Sequence, residues 1–460
     1  MNTPITFGTD GWRATLDDFT TEHVSLVGQA VATYLADHGL TGRPVAIGYD
    51  ARESSPEFAE TLATVLHANG IQVQQATRPV PTPQIAWTVA NRKLAGGLMI
   101  TASHNPPEYN GVKFITSAGA PALPPVTDAL EERLAKPQRL PSAIDGQPLP
   151  LTSRDDYLDH CRTVVSPPDL SALTIVYDAM HGSGSDVTDR LLDRAGATVE
   201  TQRCTPDPTF GGNPPEPNAA NLATLRDTVT GSSFDLGLAN DGDADRIAVI
   251  SPQRGFVDEN LVFAALYEYL LETDSGPAIR TVSTTHLIDR IAKAHGETVV
   301  ETPVGFKWIA AAMREHDALI GGEESGGFSI RGHVREKDGV LLALLIATMT
   351  NEEPIDERID RIIDTYGQIV QDKISIGCED EEKTRVIETI GDVLPDTIAG
   401  TSITTISEVD GYKMTLEDGS WVLVRPSGTE PAIRFYAEAS DSDRVTAVLT
   451  AVRDVVEPIV

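Results

Sequence analysis

The stretch "PVAIGYDAR" at residues 44–52, followed by "SSPEFAETLATVLHANG" at 54–70, sets the fold class of this chain. Val45 to Tyr49 is an apolar run with β-branched residues, and it ends in a polar loop. Apolar residues then recur every three or four positions between Phe58 and Leu66, which is the period of an α-helix. The stretch therefore predicts a β-strand, a polar loop and an amphipathic helix.

The same plan recurs along the chain. "LTIVYDAMHGSG" (173–184) precedes "SDVTDRLLDRAGA", and "IRTVSTTHLIDRIAKAHG" (279–296) precedes the strand-like "ETVVETPVG". Tyr49-Asp50-Ala51 is echoed by Tyr177-Asp178-Ala179, which indicates a repeated unit. Strands that alternate with helices predict βαβ units and mostly parallel sheets. Ligands of such sheets bind beyond the carboxyl ends of the strands, where the polar loops of this chain fall.

Changes in composition mark the domain boundaries. The segment 135–153 is rich in proline and polar residues, and the pattern breaks again near 251–260. After about residue 365 the chain takes on an antiparallel meander pattern over 402–439, and a final helix is predicted from Ser442. We therefore expect four domains, at residues 1–150, 151–255, 256–365 and 366–460.

The net charge limits the classes of partner. The chain has 68 acidic and 36 basic residues, a formal charge of −32, and only 9 of the basic residues are lysine. Such a field repels nucleic acid and anionic lipid headgroups, so neither is an expected partner. An anionic substrate must be captured by local cations, which gives extra weight to basic residues inside motifs. The acidic surface predicts a halophilic protein suited to concentrated salt; an ordinary acidic cytosolic protein is the alternative.

Cysteine usage and hydropathy bear on location. Cys161, Cys204 and Cys378 lie far apart without CxxC spacing, so neither a disulfide framework nor a zinc site is expected. The chain starts without a basic segment followed by an apolar one, and no run of about 18 apolar residues occurs. A cytoplasmic protein is expected.

The segment "LANDGDADRIAVI" at 238–250 has three alternating carboxylates, Asp241, Asp243 and Asp245. In a looping segment they can converge on one hard divalent cation, and Gly242 permits a tight backbone path. The absence of a thiol or imidazole from the segment favours Mg²⁺ over Zn²⁺. An acidic turn is the alternative, while a calcium loop would need a glutamate and a helix where this chain continues as a strand. Arg246 is then a phosphate ligand or a counter-ion of the acids.

The segment "GLMITASHNPPEYNGVK" at 97–113 places Ser103 and His104 after an apolar strand. A serine hydrolase would need a base oriented by an acid, and the GxSxG elbow is absent. Ser, Asn and Pro are also common turn formers, so local chemistry alone leaves a turn equally open. Lys113 could fold back over this loop as a proton donor or phosphate contact.

Two further loops carry polar groups between glycines. In "IGGEESGGF" at 320–328, Glu323 and Ser325 are suited to binding sugar hydroxyls, although the segment could be only a turn. The segment "VRPSGTEPAIRFY" at 424–436 combines cations, hydroxyls and a flexible glycine, which are the groups that bind phosphate. A charged hairpin turn is the alternative for this second loop. Its candidate ligands are Arg425, Ser427, Gly428, Thr429 and Arg434.

Five motifs, in order, carry a resemblance to a known family. They are "FGTDGWR", "TASHNP", "DGDADR", "GGEESGG" and "RPSGTEP", and they cover residues 7–434. Their order and spacing resemble those of the α-D-phosphohexomutases, which include phosphoglucomutase, phosphomannomutase and phosphoglucosamine mutase. The resemblance implies an α/β protein of four domains in a heart-like arrangement, with three mixed α/β domains and a smaller C-terminal α+β domain.

The resemblance also implies an activity, the reversible interconversion of hexose 1-phosphate and hexose 6-phosphate. It implies Mg²⁺, a phosphoserine and a hexose 1,6-bisphosphate that also serves as catalytic activator. Ser103 resembles the phosphoserine and, with the three aspartates, the Mg²⁺ shell. Arg13 and Lys113 resemble catalytic groups, and Arg246 a neighbouring contact. The other matched residues resemble the sugar readers, Glu323 and Ser325, and the holder of the distal phosphate, Arg425, Ser427, Gly428, Thr429 and Arg434.

One departure bears on substrate and base. Several branches end the glutamate motif in histidine, where this chain has Gly327. Instead "ETPVGFKWI" offers Lys307, which resembles the GxK loop of glucose-type mutases. Proton transfer is therefore open among Lys113, His104 and Lys307. Glucose phosphates are the expected substrates with mannose second, and a phosphoglucosamine mutase, a Mg²⁺ phosphatase and an inactive sugar-phosphate binder are alternatives. We expect a monomer or homodimer.

Overall fold

The computed structural model describes residues 5–141, 143–428 and 431–460. Four sheets follow one another along the chain. Three of them mix parallel and antiparallel strands, and the fourth is entirely antiparallel. The expected fold class, α/β with an α+β domain at the C-terminus, is confirmed.

The first sheet has the order β1-β5-β4-β2-β3-β6; it is parallel from β4 to β6 and antiparallel on the side of β5 and β1. Its strands are β1 (Trp12–Thr15), β2 (Val45–Tyr49), β3 (Val73–Gln75), β4 (Gly96–Ile100), β5 (Tyr109–Thr116) and β6 (Leu149–Pro150). The helices that accompany it are α1 (Thr21–Asp37), α2 (Ser55–Ala68), α3 (Thr82–Asn91) and α4 (Pro124–Leu134). Every residue of β2 and β4 is buried, which is why both read as continuous apolar runs.

The second sheet repeats this plan with the order β11-β10-β9-β7-β8. Its helices are α5 (Arg154–Val165), α6 (Thr188–Arg194) and α7 (Ala223–Thr230). Its strands are β7 (Thr174–Asp178), β8 (Thr198–Gln202), β9 (Leu236–Asn240), β10 (Ile247–Ser251) and β11 (Gly255–Val257). The edge strand β11 ends at Val257, two residues beyond the expected boundary, because it pairs back onto β10.

The third sheet is shorter, with the order β13-β12-β14-β15. Its strands are β12 (Ala278–Thr281), β13 (Val299–Thr302), β14 (Ile320–Gly322) and β15 (Phe328–Ile330). Its helices are α8 (Glu259–Leu271), α9 (Leu287–His295), α10 (Phe306–His316), α11 (Gly339–Glu352) and α12 (Ile355–Tyr366). Helix α11 is apolar on nearly all sides because it packs against α5 and α6 of the second unit as well as its own. One hydrophobic core therefore spans the second and third sheets.

The fourth sheet is a six-stranded antiparallel sheet in the order β16-β21-β20-β19-β18-β17. Its strands are β16 (Val370–Gly377), β17 (Thr397–Ile398), β18 (Thr401–Ser407), β19 (Tyr412–Leu416), β20 (Trp421–Pro426) and β21 (Ala432–Ala439). Its helices are α13 (Asp380–Val393) and α14 (Ser442–Val456), so the predicted start at Ser442 is confirmed. This sheet has its own hydrophobic core.

Candidate active site

Polar loops from all four units meet at the ends of buried strands. The Ser103 loop follows β4, the aspartate loop follows β9, and the Glu323 loop follows β14. The backbone of the Glu323 loop is tied to the aspartate loop, because Ile247 N donates to the Gly326 carbonyl at 3.0 Å. The expectation that function lies at the carboxyl ends of strands matches this arrangement.

Ser103 is 1% exposed and has a left-handed backbone, with φ of 52°. Its Oγ donates to Asp241 Oδ2 at 2.7 Å and lies 3.3 Å from His104 Nδ1. The serine and the aspartate lie 138 residues apart in sequence, so only folding brings them together. No acid orients His104 among the hydrogen bonds of the described residues, so the arrangement is not that of a serine hydrolase triad.

The three aspartates fit a hard metal ion. Asp241, Asp243 and Asp245 are each 0% exposed, and one oxygen from each lies within 4.8 Å of the others. The Oδ1 atoms of Asp243 and Asp245 are buried without a hydrogen-bond partner, a costly state that a bound cation would relieve. Gly242 lets the loop approach closely, because a Cβ there would lie 2.6 Å from the Ser103 carbonyl oxygen.

Two lysines neutralise part of this charge. Lys113 Nζ lies 2.8 Å from each of Asp10, Asp243 and Asp245, and Lys337 Nζ lies 3.1 Å from Asp245 and 3.2 Å from Asp10. Both lysines are almost fully buried, and buried charges persist only when paired in this way. Lys337 lies in the loop just before α11, and Asp10 in the N-terminal loop, so the network joins three units.

The pKa values reflect this balance of charges. Burial and the neighbouring Asp243 and Asp245 raise the pKa of Asp241 well above its usual value. Burial alone would lower the pKa of Lys113, but its carboxylate partners raise it well above the usual value. Burial, with Arg246 and Arg13 nearby, holds the pKa of His104 well below normal. Lys113 therefore stays protonated and His104 stays neutral.

Arg13 and Arg246 each bind a residue close to Ser103 in the structure. Arg13 Nη1 donates to Asn105 Oδ1 at 2.9 Å, and Arg13 Nη2 lies 3.3 Å from Asp10 Oδ2. The backbone N of Arg246 donates to Asp241 Oδ1 at 3.2 Å, and its Nε is buried without a partner. An unpartnered buried guanidinium nitrogen beside the serine is a ready donor for an anion.

The Glu323 loop lies against the loop that carries Lys307. Glu323 Oε1 accepts from Gly305 N at 3.1 Å, and burial raises the pKa of this carboxyl to about 7. Ser325 lies on the same loop and is partly exposed. Lys307 Nζ donates to the Gly8 carbonyl at 3.3 Å, and burial lowers its pKa.

The structure explains why residue 327 is a glycine. A Cβ at this position would lie 2.5 Å from Cδ of Lys337, so any side chain here would displace the lysine. The space beside Gly327 is therefore filled by Lys337, which lies in the loop before α11. Lys337 could have been noticed in the sequence, because the chain has few lysines and this one follows the GGEESGG motif.

The segment 424–436, predicted to bind phosphate and called the phosphate loop below, has two arginines on adjacent strands. Arg425 and Arg434 are direct cross-strand partners of β20 and β21, which places two like charges side by side. Arg425 is paired with Asp410 at 3.1 Å, and the Ser427 carbonyl accepts from Lys383 at 2.7 Å. Such an arrangement of cations is suited to an anion. Thr429 lies outside the described residues.

The phosphate loop approaches the N-terminal loop. A Cβ on Gly428 would lie 3.8 Å from Thr9 Oγ1, and one on Gly305 would lie 2.8 Å from Thr9 Cγ2. Loops of the first, third and fourth units therefore converge at Thr9. Sequence reasoning did not single out Asp10, Lys337, Asp410 and Arg52, nor Thr82, whose Oγ1 donates to Asp243 Oδ2 at 2.5 Å.

The sequence matches four family models in succession. They are described as phosphoglucomutase/phosphomannomutase, alpha/beta/alpha domains I, II and III, and C-terminal domain, and they match residues 4–140, 155–255, 258–366 and 374–455. The chain belongs to the phosphoglucomutase/phosphomannomutase family. The predicted resemblance is confirmed, and members of this family are mutases.

Individual members of the phosphoglucomutase/phosphomannomutase family are similar to this chain over nearly its whole length. A protein of Methanothermobacter thermautotrophicus named "Probable phosphoglucosamine mutase" is 33% identical over 99% of each chain. A Thermococcus kodakarensis protein named "Phosphoglucomutase/phosphomannomutase" is 31% identical over 96% of each. A crystal structure from Thermus thermophilus, described as a phosphomannomutase, is 31% identical with a TM-score of 0.86, covering 99% of this chain and 100% of that one. Several further archaeal relatives carry the phosphoglucosamine mutase name.

Among the described residues, no helix has both the length and the apolar character needed to cross a membrane.

Proposed function

We propose that this chain moves a phosphoryl group between C1 and C6 of a hexose, with Ser103 as the covalent carrier. One observation carries the proposal: Ser103 Oγ is buried 2.7 Å from Asp241, inside a cluster of carboxylates, lysines and arginines. Phosphoryl transfer depends mainly on alignment and charge neutralisation, and this cluster provides both.

Asp241, Asp243 and Asp245, together with a phosphate on Ser103, would hold Mg²⁺. Three carboxylates and no sulfur or imidazole match the preference of this ion for oxygen ligands. When bound, it would neutralise charge on the phosphate.

In the first half-reaction, the bond between Ser103 Oγ and phosphorus breaks, and phosphorus bonds to the C6 or C1 hydroxyl of the substrate. The hydroxyl proton passes to a base, the freed Ser103 oxygen takes up a proton, and the product is a hexose 1,6-bisphosphate. After the bisphosphate turns around, Ser103 Oγ gives its proton to a base and attacks the other phosphate. The bond between that phosphorus and the sugar oxygen breaks, and the released sugar oxygen takes up a proton. Free 1,6-bisphosphate would then restore phosphate to any Ser103 that has lost it.

Lys113 is unsuited to take the proton, because three carboxylates at 2.8 Å hold its own. We infer that it acts as a fixed cation beside the transferring phosphate, with Arg13, Arg246 and Lys337. His104, 3.3 Å from Ser103 Oγ, and Lys307 remain the candidates for proton transfer. Burial makes the neutral form of each more accessible, which a base requires.

Arg425, Ser427, Gly428, Thr429 and Arg434 would hold the phosphate that does not react. A distant clamp that accepts either phosphate lets one reaction centre serve both halves of the cycle. Glu323 and Ser325 would bind sugar hydroxyls between the clamp and Ser103.

The names of the archaeal relatives favour glucosamine phosphate as substrate over the glucose preference expected from the sequence. Glucose is the second candidate, favoured by Lys307 on its loop beside Glu323 and by the absence of a histidine at Gly327. Rates with glucosamine 1-phosphate, glucose 1-phosphate and mannose 1-phosphate, each coupled to detection of its 6-phosphate, decide among them. A kcat/KM for glucose at least tenfold above that for glucosamine would reverse the order.

The decisive test of the mechanism is Ser103→Ala, compared with wild type by intact mass and mutase activity. We expect one phosphate on the wild type after incubation with glucose 1,6-bisphosphate, none on the variant, and a loss of activity of about 10⁴-fold or more. The control is Ser185→Ala, a buried serine in the loop after β7 of the second unit, which should keep activity. Near-wild-type activity of Ser103→Ala would exclude the covalent route. Steady release of free phosphate would identify a phosphatase instead.

A further inference from the structure

The guanidinium of Arg52 is buried behind the Ser103 loop and is 1% exposed. Nη2 donates to the carbonyls of Ser103 and Asn105 at 2.7 and 2.6 Å. Nη1 donates to the carbonyls of Pro106 and Tyr109 at 2.6 and 3.0 Å. Nε donates to Asp50 at 3.0 Å, so each of the five N–H donors has an acceptor. One side chain therefore fixes four carbonyls of the loop.

Asp50 holds the other side of the same loop. Its Oδ2 accepts from Thr101 Oγ1 at 2.6 Å, and Thr101 Oγ1 in turn accepts from Ser103 N at 2.8 Å. Its Oδ1 accepts from Ser55 Oγ at 3.1 Å at the start of α2. Ser103 is thus held by its N–H through Thr101 and by its carbonyl through Arg52.

This double anchor acts on a strained residue. Ser103 has φ of 52°, a region that non-glycine residues adopt only when the surroundings enforce it. That backbone directs Oγ to Asp241, 2.7 Å away. Without the anchor, the loop would be free to relax to ordinary backbone angles and Oγ would move from the aspartate.

The second unit closes over the anchor. The Phe210 ring lies 5.0 Å from Arg52 Cζ, and a Cβ on Gly242 would lie 2.6 Å from the Ser103 carbonyl. The Ser103 loop is therefore packed between Arg52 on one side and the backbone of the aspartate loop on the other. A change in the Arg52 side would shift the serine against the three aspartates.

The repeated unit shows that this use of arginine belongs to the serine loop. Asp178 occupies the place of Asp50 at the end of β7, but its arginine partner is Arg203, after β8. Arg203 Nη2 donates to a single carbonyl, that of Asn221, at 3.2 Å. The aspartate is common to both units. Of the two arginines, Arg52 binds four carbonyls of the Ser103 loop, whereas Arg203 binds one carbonyl in the second unit.

We infer that Arg52 is a positioning residue for phosphoryl transfer, acting through the backbone of the Ser103 loop. This inference rests on the proposed function of Ser103. Lysine cannot replace Arg52, because a point charge with three donors cannot reach carbonyls spread along a planar fork.

The test compares Arg52→Lys with Arg358→Lys, which alters an equally buried arginine that binds Glu268 and Glu272 far from the site. Melting temperature, kcat, KM and phosphate uptake on Ser103 from glucose 1,6-bisphosphate are measured for each. Both variants should lose stability. Only Arg52→Lys should lower kcat, by about 100-fold at nearly unchanged KM, and slow phosphate uptake to match.

A second variant protects the test against loss of folding. Thr101→Val removes the hydroxyl between Asp50 and Ser103 N and keeps the shape of the side chain, so a smaller fall in kcat and uptake is expected. Wild-type kcat in folded Arg52→Lys, or equal losses in Arg358→Lys, would overturn the positioning role. Ser103→Ala separates the two questions, because its activity tests the carrier whatever Arg52 does.

Discussion

The reaction centre and the phosphate loop are built differently. At the centre, Ser103 and the three aspartates are almost completely buried, and Lys113 from β5 and Lys337 from the loop before α11 pair with two of these aspartates. In the phosphate loop, Arg425 is half-buried and pairs with one carboxylate of its own unit, Asp410. The groups of the centre are therefore enclosed by protein, whereas Arg425 is partly open to solvent.

The difference follows the demands of the chemistry. In the proposed mechanism, bond exchange at Ser103 tolerates little displacement, which fits a centre whose groups are fixed by packing. In the same mechanism the distal phosphate changes identity between the two half-reactions, so its holder must accept two orientations of the sugar. We therefore expect damage to the centre to lower kcat, and damage to the loop to raise KM.

The largest effect is expected from Asp241→Asn, which removes the partner of Ser103 Oγ and one predicted metal ligand. Because the centre acts as a unit, kcat should fall by about 10⁴-fold with little change in KM. Steady-state kinetics and a calorimetric Mg²⁺ titration measure this, with exposed Asp227→Asn as control. Full activity of Asp241→Asn, or of wild type in EDTA, would contradict a metal-dependent centre.

Arg425→Ala should raise KM by about 10- to 100-fold and leave kcat nearly intact, because charged hydrogen bonds to the distal phosphate are lost in ground and transition state alike. Inhibition by inorganic phosphate should weaken in parallel. If kcat fell while KM stayed unchanged, the phosphate loop would act in the chemical step, and the proposed division between centre and loop would be wrong.

Gly327→Ala should lower kcat about tenfold, because its methyl group would displace Lys337 from Asp10 and Asp245. Gly377→Ala is the control, since a Cβ there meets no neighbour within 4 Å. Activity assays of both variants at matched folded fraction measure the effect. An unchanged Gly327→Ala enzyme would show that Lys337 has no part in the reaction.

Glu259 lies close to the Glu323 loop, because a Cβ added to Gly326 would be 3.4 Å from Glu259 Cγ. Its titration measures how much the burial of a carboxylate near the centre changes the free energy of unfolding. Burial raises its pKa to about 7 from 4.5, so it binds its proton more tightly in the folded state. The stabilisation is complete below about pH 4.5 and is lost as the pH rises through about 7. Relative to Glu259→Gln, wild type should lose stability between pH 5 and 8, measured by urea unfolding. Parallel curves would contradict the raised pKa.

The smallest effect is expected from salt. Screening of a formal charge of −32 should raise the melting temperature between low and molar KCl, by a few degrees. The buried ion pairs of the centre are screened less, so kcat should change less than stability. A melting temperature that stays constant or falls with KCl would end the halophilic interpretation.

The sequence by itself determined the local structure, because strand and helix periods depend on neighbours along the chain. The strand at Val45 to Tyr49 and the helix from Ser442 form as their patterns predict, and the strand predicted at Ile247 to Ile250 extends by one residue to Ser251. The five motifs also identified the family, because their residue types and order can be recognised without knowing any distance in the structure.

Only the tertiary structure decided which charges meet. Asp10, Lys113 and Lys337 are separated by up to 327 residues and converge in one network. In the sequence Arg52 is an ordinary loop residue after the strand β2. Four of the hydrogen bonds of its guanidinium depend on the path of the Ser103 loop, which lies about fifty residues later in the chain. Pairing of buried charges is a property of packing in three dimensions, and no local period encodes it. The carboxylates of the proposed metal site and the cations inside the motifs were therefore recognised from the sequence, whereas Lys337 and the Arg52 anchor of the Ser103 loop were not.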